Sequence, residues 1–323
     1  MLERFKNILN RFITYLVISS YLPKNLFLSK SFSNVPLIFK FIRFFINKRI
    51  NPSTKKMKNE NINILKRKRK VLLLDDLNEL VIHSFFFPFD KNLYNKTREE
   101  IVKQFRSKKI CNTDYVSEQF FGKTLLVTER KISGSVLTNC EQRVIEKFLN
   151  YLAEDLLVDE NCKQDEGVYT TLHNTFIKLK KKLSKESKFH KLSQLCNDPF
   201  DNKQGLWPSQ YCHGQILPNN VISSNTNNDQ FYLIDFEPKL MGKGPYAYDL
   251  IFFILYSSDL ISAKYKNNLI KTFFNPTKKH LWCKNFLAQI IWWSRNKVLN
   301  SNQIFKIELR SSIVLDLINN DIE

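Results

Sequence analysis

The stretch that decides the fold runs from Tyr211 to Asp249. It reads Cys212-His213-Gly214-Gln215-Ile216-Leu217-Pro218-Asn219-Asn220, continues through Leu233-Ile234-Asp235-Phe236-Glu237, and ends at Tyr248-Asp249. The first part is a short loop of small polar groups. Alternation then predicts a strand over Asn220–Ser223, a turn over Ser224–Asn228, and a second strand over Gln230–Phe236 that carries an acid at its end. Such a hairpin brings Asn220 and Asp235 to neighbouring strand ends, an amide oxygen beside a carboxylate. Hard oxygen pairs of this kind suit Mg²⁺ bridging nucleotide phosphates, because the ion keeps several of its waters.

These residues resemble a family. The run HGQILPNNVI, FYLIDFEP and GPYAYDL looks like the catalytic and metal-binding loops of the aminoglycoside phosphotransferase and choline kinase group, small-molecule kinases with a protein-kinase-like fold. That group's pattern is His-Gly-Asp, four residues, Asn, then Ile-Asp-Phe-Glu and a later Asp that opens a helix. His213, Gly214, Asn220, Asp235, Phe236, Glu237 and Asp249 match it in type and order, and Gln215 stands where the group has its catalytic Asp. The resemblance implies that Asp235 bridges Mg²⁺ to the phosphates of ATP, that Asn220 holds the metal from the other side, and that Asp249 orders the catalytic loop. His213 would be structural, and residue 215 would orient the acceptor hydroxyl. A glutamine can hydrogen-bond a hydroxyl but cannot take its proton, and a positioned base is typically worth ~10²–10⁴-fold.

The whole chain bounds this reading. A length of 323 residues, 43% hydrophobic content and only ten Pro and seven Gly fit a folded, helix-rich protein with one large core or two lobes. Six scattered Cys, without close pairs or metal-type spacing, read as free thiols in a reducing compartment. Residues 1–70 hold 17 Lys and Arg against Glu3 and Glu60, so most of the net charge of +19 belongs to this end. Residues 1–65 are therefore read as a basic, aromatic extension. Leu2, Phe5, Leu9, Phe12 and Leu16 recur at helical spacing, and Pro36–Asn47 is a second amphipathic stretch. Two readings stay open for it: residues 1–50 lie on an anionic membrane surface, or their Phe side chains pack on the body. Nucleic acid is not favoured as a partner. The longest apolar run, Phe12–Leu22, is about half the ~20 residues a membrane span needs.

The resemblance divides the rest into a small lobe, 66–130, and a large lobe, 131–323. Together they make an α+β, two-lobed fold: a small antiparallel sheet with one helix, and a larger, mainly helical part. Lys70–Leu74 and Glu79–Phe85 read as a hairpin, Asn95–Lys109 as a helix, and Gln119–Phe121 with Thr124–Thr128 as a second hairpin. Where the group would place its ATP-anchoring Lys, this chain has His83. Glu99, ahead of Glu100, is the candidate for the pairing acid on the helix. Glu129 and Lys131, in the run leading to Gly134, resemble the hinge that binds the adenine edge. No glycine precedes Gly122, so a glycine-rich phosphate loop of the usual form is excluded from the small lobe.

In the large lobe Asn139–Leu156 and Tyr169–Leu195 read as helices, Asp198–Ser209 as a loop and Gly242–Tyr246 as a turn. Ser262–Phe274, Lys279–Leu299 and Gln303–Leu317 read as further helices, with Trp282, Trp292 and Trp293 in the core. The implied function is ATP- and Mg²⁺-dependent transfer of phosphate to a hydroxyl of a small molecule, a sugar or lipid-linked saccharide. The implied place is the cytoplasm, peripheral to the inner membrane face. Gln215, His83 and the missing glycines motivate the alternative of a pseudokinase that binds or scaffolds without efficient transfer.

Overall fold

Five of the strands between residues 62 and 130 form one antiparallel sheet in the computed structural model of the chain. The structure describes residues 62–66, 70–75, 81–86 and 90–319, apart from short stretches at 121–123, 131, 158–161, 197–198, 201–204, 226–228, 258 and 274–278. Residues 1–61 of the basic extension read over 1–65, the Gly122-Lys123 turn and Lys131 lie outside these, while Ile62–Leu65 fall in a strand. The chain divides into two compact units, residues up to Lys96 with Thr113–Lys131, and Thr97–Asn112 with Ile132–Glu323. The division falls inside helix α1 (Lys91–Val102), so Thr97–Asn112 clusters with the larger unit rather than with the small lobe.

The smaller unit is a five-stranded sheet in the order β1-β2-β3-β6-β5, with β1 Ile62–Lys66, β2 Lys70–Asp75, β3 Val81–Phe86, β5 Tyr115–Phe120 and β6 Thr124–Arg130. Every pairing is antiparallel, with His83 opposite Leu73 on one side and Thr128 on the other. The first turns of α1 pack here: Tyr94 is buried and meets Tyr115 edge to face, with ring centroids 6.1 Å apart. The expected helix start at Asn95 is corrected to Lys91. Asp90 sets it, its carboxylate accepting the Leu93 N–H at 3.0 Å in the manner of an N-cap.

The larger unit carries two small sheets and the remaining helices. In the first sheet, order β4-β11-β10-β7, strand β4 (Ile110–Asn112) runs parallel to β11 (Phe231–Leu233), which forms the expected hairpin with β10 (Val221–Ser224). Strand β7 (Gly134–Val136) closes the other edge, and only glycine fits at 134, because a Cβ there would stand 2.2 Å from the Ser223 carbonyl oxygen. The second sheet, β12-β9-β8, corrects two expectations. Trp207–Cys212 is a strand (β9) rather than the end of a loop, and Gly242–Pro245 is a strand (β12) rather than a turn; each gains its partner from far along the chain. Strand β8 is Lys163–Asp165.

Helix α2 (Gln142–Leu156) buries Ile145, Phe148, Leu149 and Leu152, and Phe148 packs against Phe231 and Phe253 at 5.3 and 5.2 Å between centroids. The single helix expected over Tyr169–Leu195 is two helices, α3 (Glu166–Lys182) and α4 (Lys188–Leu195). The break follows from Ser187, whose hydroxyl accepts the His190 N–H and caps a new start. Helix α5 (Tyr248–Tyr256) is apolar apart from Asp249 and buried from Tyr248 to Leu255, and α6 (Ala263–Phe273), α7 (Lys279–Ser294) and α8 (Ser301–Asn319) complete the unit. Trp282, Trp292 and Trp293 are all buried. Among the described residues no helix is long and apolar enough to cross a membrane.

Candidate active site

The candidate site is built where β9 ends and the loop His213–Asn220 begins, all within the larger unit. The strand is fixed first. Gln104 donates its amide N–H to the Tyr211 carbonyl at 2.7 Å, and the Gln210 amide oxygen accepts the Ala247 N–H at 2.6 Å. Ala247 sits in the left-handed region, φ 57°, and starts α5, so the helix entry and the strand end are tied together. The tie places Asp249 under the loop. Its two carboxylate oxygens accept the backbone N–H groups of His213 at 2.6 Å and Gly214 at 2.9 Å. Asp249 is buried, and burial pushes its carboxyl up to about 7 against the downward pull of those two bonds.

Gly214 turns the loop at φ 84°. A Cβ there would stand 2.2 Å from the Leu240 carbonyl oxygen, so the backbone of the following segment passes too close for any side chain. Gln215 follows, partly exposed. Pro218–Asn220 forms a short 3₁₀ turn, and the Asn220 amide N–H donates to the Gln215 carbonyl at 3.0 Å. That bond fixes the orientation of the buried Asn220 amide and leaves its oxygen as the acceptor. The backbone of Asn220 also accepts the Ile234 N–H at 3.0 Å, so Asn220 and Asp235 stand at adjoining ends of β10 and β11.

Asp235 takes a positive φ of 64°, a conformation sparsely populated outside glycine, asparagine and aspartate. Its neighbours hold it from both sides. His213 Nε2 donates to the Ile234 carbonyl at 3.1 Å, and the His213 ring packs on the buried Phe236 at 4.4 Å between centroids. Phe236 has a second companion that the sequence reading passed over. The Arg98 guanidinium lies 4.2 Å from its ring centroid, with no exposed surface, and donates through Nε to the Asn112 amide oxygen at 3.0 Å. The signal was present in the sequence: Tyr94, Arg98, Ile101 and Phe105 fall on one helical stripe, and all four are buried.

The structure thus brings together His213, Gln215, Asn220 and Asp235. Glu99 is exposed on α1. His83 lies in β3, described through its backbone pairing. The Glu129 carboxylate accepts the Thr113 hydroxyl at 2.7 Å, and its backbone lies in the sheet between Ile82 and Tyr115. Among the described residues no three His, Cys, Asp or Glu stand together as a metal cluster. The donor set for a metal here is one amide oxygen and one carboxylate. It fits an ion that keeps waters and takes its remaining ligands from phosphate, the habit of Mg²⁺.

No protein-family pattern matches the chain, and no curated protein matches it in sequence. Solved structures do match. The GDP and kanamycin complex of APH(2'')-IIia aligns over 83% of this chain and 95% of its own, at 12% identity and TM-score 0.53. The ternary complex of a thermostable mutant of aminoglycoside phosphotransferase APH(4)-Ia with AMP-PNP and hygromycin B aligns over 80% and 94%, at 12% identity and TM-score 0.54. A choline/ethanolamine kinase family protein from Mesorhizobium loti aligns over 86% and 94%, at 8% identity and TM-score 0.52. The chain thus shares the α+β fold of these aminoglycoside phosphotransferase and choline/ethanolamine kinase family structures.

Proposed function

We propose that this chain is a nucleotide- and Mg²⁺-dependent phosphotransferase that uses ATP to phosphorylate a hydroxyl of a small molecule, a sugar or lipid-linked saccharide. The observation that carries the reading is the pair Asn220 and Asp235 at adjoining strand ends, beside a loop whose direction Asp249 fixes through two backbone N–H bonds. Solved structures of the same fold that hold GDP or AMP-PNP support the nucleotide part. Asn220 and Asp235 would hold the ion, which supplies charge neutralisation at the phosphate oxygens when bound.

Gln215 orients the acceptor hydroxyl by hydrogen bonding. As the acceptor oxygen bonds to phosphorus, the bond from phosphorus to the leaving nucleoside diphosphate breaks, and the proton leaves to water. Because the transition state is largely dissociative, a missing base slows this step without forbidding it. Transfer of labelled γ-phosphate tests the reading. The natural protein should turn over slowly, Gln215→Asp should raise turnover by up to ~10²–10⁴-fold, and Asp235→Ala should abolish it. The absence of any Mg²⁺-nucleotide thermal shift would overturn the proposal.

A second reading, a pseudokinase that binds nucleotide as a scaffold, is motivated by Gln215 and by the lack of glycine before Gly122. A thermal shift with no transfer, even in Gln215→Asp, would select it. Residues 1–50, basic and aromatic, are assigned by this proposal to an anionic membrane surface on the cytoplasmic side. Deleting them should remove co-sedimentation with anionic vesicles while phosphotransfer persists; unchanged co-sedimentation would refute the assignment.

A further inference from the structure

We propose that Arg98 is a positioning residue for the metal-bearing carboxylate: its guanidinium clamps Phe236 against His213 and so holds Asp235 in the left-handed backbone conformation the site needs. The inference rests on reading Asp235 as a metal ligand. Three features argue for it. Asp235 at φ 64° sits in the left-handed region, which aspartate tolerates better than most residues and which its surroundings still have to select. The fixing contacts fall on its two neighbours, Ile234 through the His213 Nε2 bond and Phe236 through its contacts with the His213 ring and the Arg98 guanidinium.

The second feature is the burial of a cation. Arg98 has no exposed surface, and a charge removed from water is costly unless it is paired and hydrogen-bonded. Its Nε and Nη2 both donate to the Asn112 amide oxygen. Asn112 is the residue of β4 that lies opposite Leu233 of β11, two positions before Asp235. Arg98, Asn112 and the metal loop are therefore one frame, in which a planar fork is aimed by one strand onto the ring that follows the carboxylate. The third feature is on α1 itself. Of the run Thr97-Arg98-Glu99-Glu100, the cation is the fully buried member while Glu99 is exposed.

Charge and positioning predict opposite results, which makes the test sharp. Removing a cation from beside a divalent-ion site should tighten the ion if charge alone mattered. Removing a clamp should loosen it. Mn²⁺ affinity, read by electron paramagnetic resonance with saturating AMP-PNP, is compared in the natural protein and in Arg98→Lys, Arg98→Met, Phe236→Leu and Asp235→Ala. The expected result is a weakening of Mn²⁺ binding by about tenfold in both Arg98 variants, the Lys form included because it keeps the charge and loses the planar fork. Metal-free nucleotide affinity should stay within about twofold, a split that a merely structural defect would not produce.

If Arg98→Met does not fold, Arg98→Lys and Phe236→Leu carry the comparison, and their double variant should be no worse than either alone. Unchanged or tighter Mn²⁺ binding in the Arg98 variants, with loss in Asp235→Ala, overturns the role of Arg98 and spares the metal reading. Unchanged binding in Asp235→Ala overturns both.

Discussion

Two regions of the larger unit bury charge, and they treat it in opposite ways. Under the loop His213–Asn220, the Asp249 carboxylate accepts two backbone N–H groups, so each oxygen is used and each bond fixes the course of the chain. Among the C-terminal helices, the buried Arg310 guanidinium lies 3.4 Å from the Trp293 ring centroid and 4.2 Å from that of Tyr256, and its Nη1 has no hydrogen-bond partner among the described residues. Arg295 over Trp292 and Lys297 over Trp293 are further cation–ring contacts, both partly exposed, and Arg295 also donates through Nη1 to the Trp292 carbonyl at 2.7 Å. Hydrogen bonds are directional and set geometry, as Asn112 does for Arg98 over Phe236, whereas a ring face alone tolerates a cation over a range of positions. The first arrangement builds a site; the second fills a core. The aromatic cluster is therefore occupied by the chain's own cations.

The largest effect that would sharpen this contrast is Asp249→Ala. It leaves two buried N–H groups without acceptors, at ~1–3 kcal/mol each. Urea unfolding should show a loss in that range for each group, and phosphotransfer should fall with it. A loss below ~1 kcal/mol would break the comparison.

A smaller effect lies in the pH dependence. Burial raises the Asp249 carboxyl from its ordinary value to about 7, so the folded state binds a proton more tightly than the unfolded chain does. The corresponding stability is fully present below the unfolded pKa, near 4, and is lost as pH rises through about 7. Between those values one proton contributes a slope of up to ~1.4 kcal/mol per pH unit. Thermal midpoints from pH 5 to 8 should therefore fall more steeply in the natural protein than in Asp249→Asn; equal slopes would refute it.

The smallest effect is expected at Arg310→Met. Replacing an incompletely bonded buried cation with an apolar side chain of similar length is often neutral or stabilising, so unfolding free energy should change by less than ~1 kcal/mol or rise. A loss above ~3 kcal/mol would show that ring faces hold charge as firmly as backbone donors.

The same contrast explains what could be read from the sequence. Asn220 and Asp235 are legible because a hairpin fixes their spacing, and His213, Gly214 and Asp249 because they match in order the loops of the family that the sequence resembles. The β9–β12 pairing was not legible, since Gly242–Pro245 finds Ser209–Cys212 only through the fold. The break between α3 and α4 did leave a mark in the serines at 184 and 187, outweighed by the long lysine-rich periodicity around it. Arg98 was hidden by its type, since a charge on an apolar stripe reads as solvent-facing until Phe236 and Asn112 surround it.

The parallel pairing of β4 with β11 has a consequence for how the site comes into being. Ile110 lies opposite Phe231, a closure over about 120 residues, and the entropy of such a loop must be met before the contact returns anything. A growing chain leaves the ribosome with Arg98 and Asn112 long before Leu233 and Asp235 exist. The metal loop should thus be among the last parts to become ordered during synthesis, and truncated chains that stop short of residue 231 should retain helices while lacking any divalent-ion affinity.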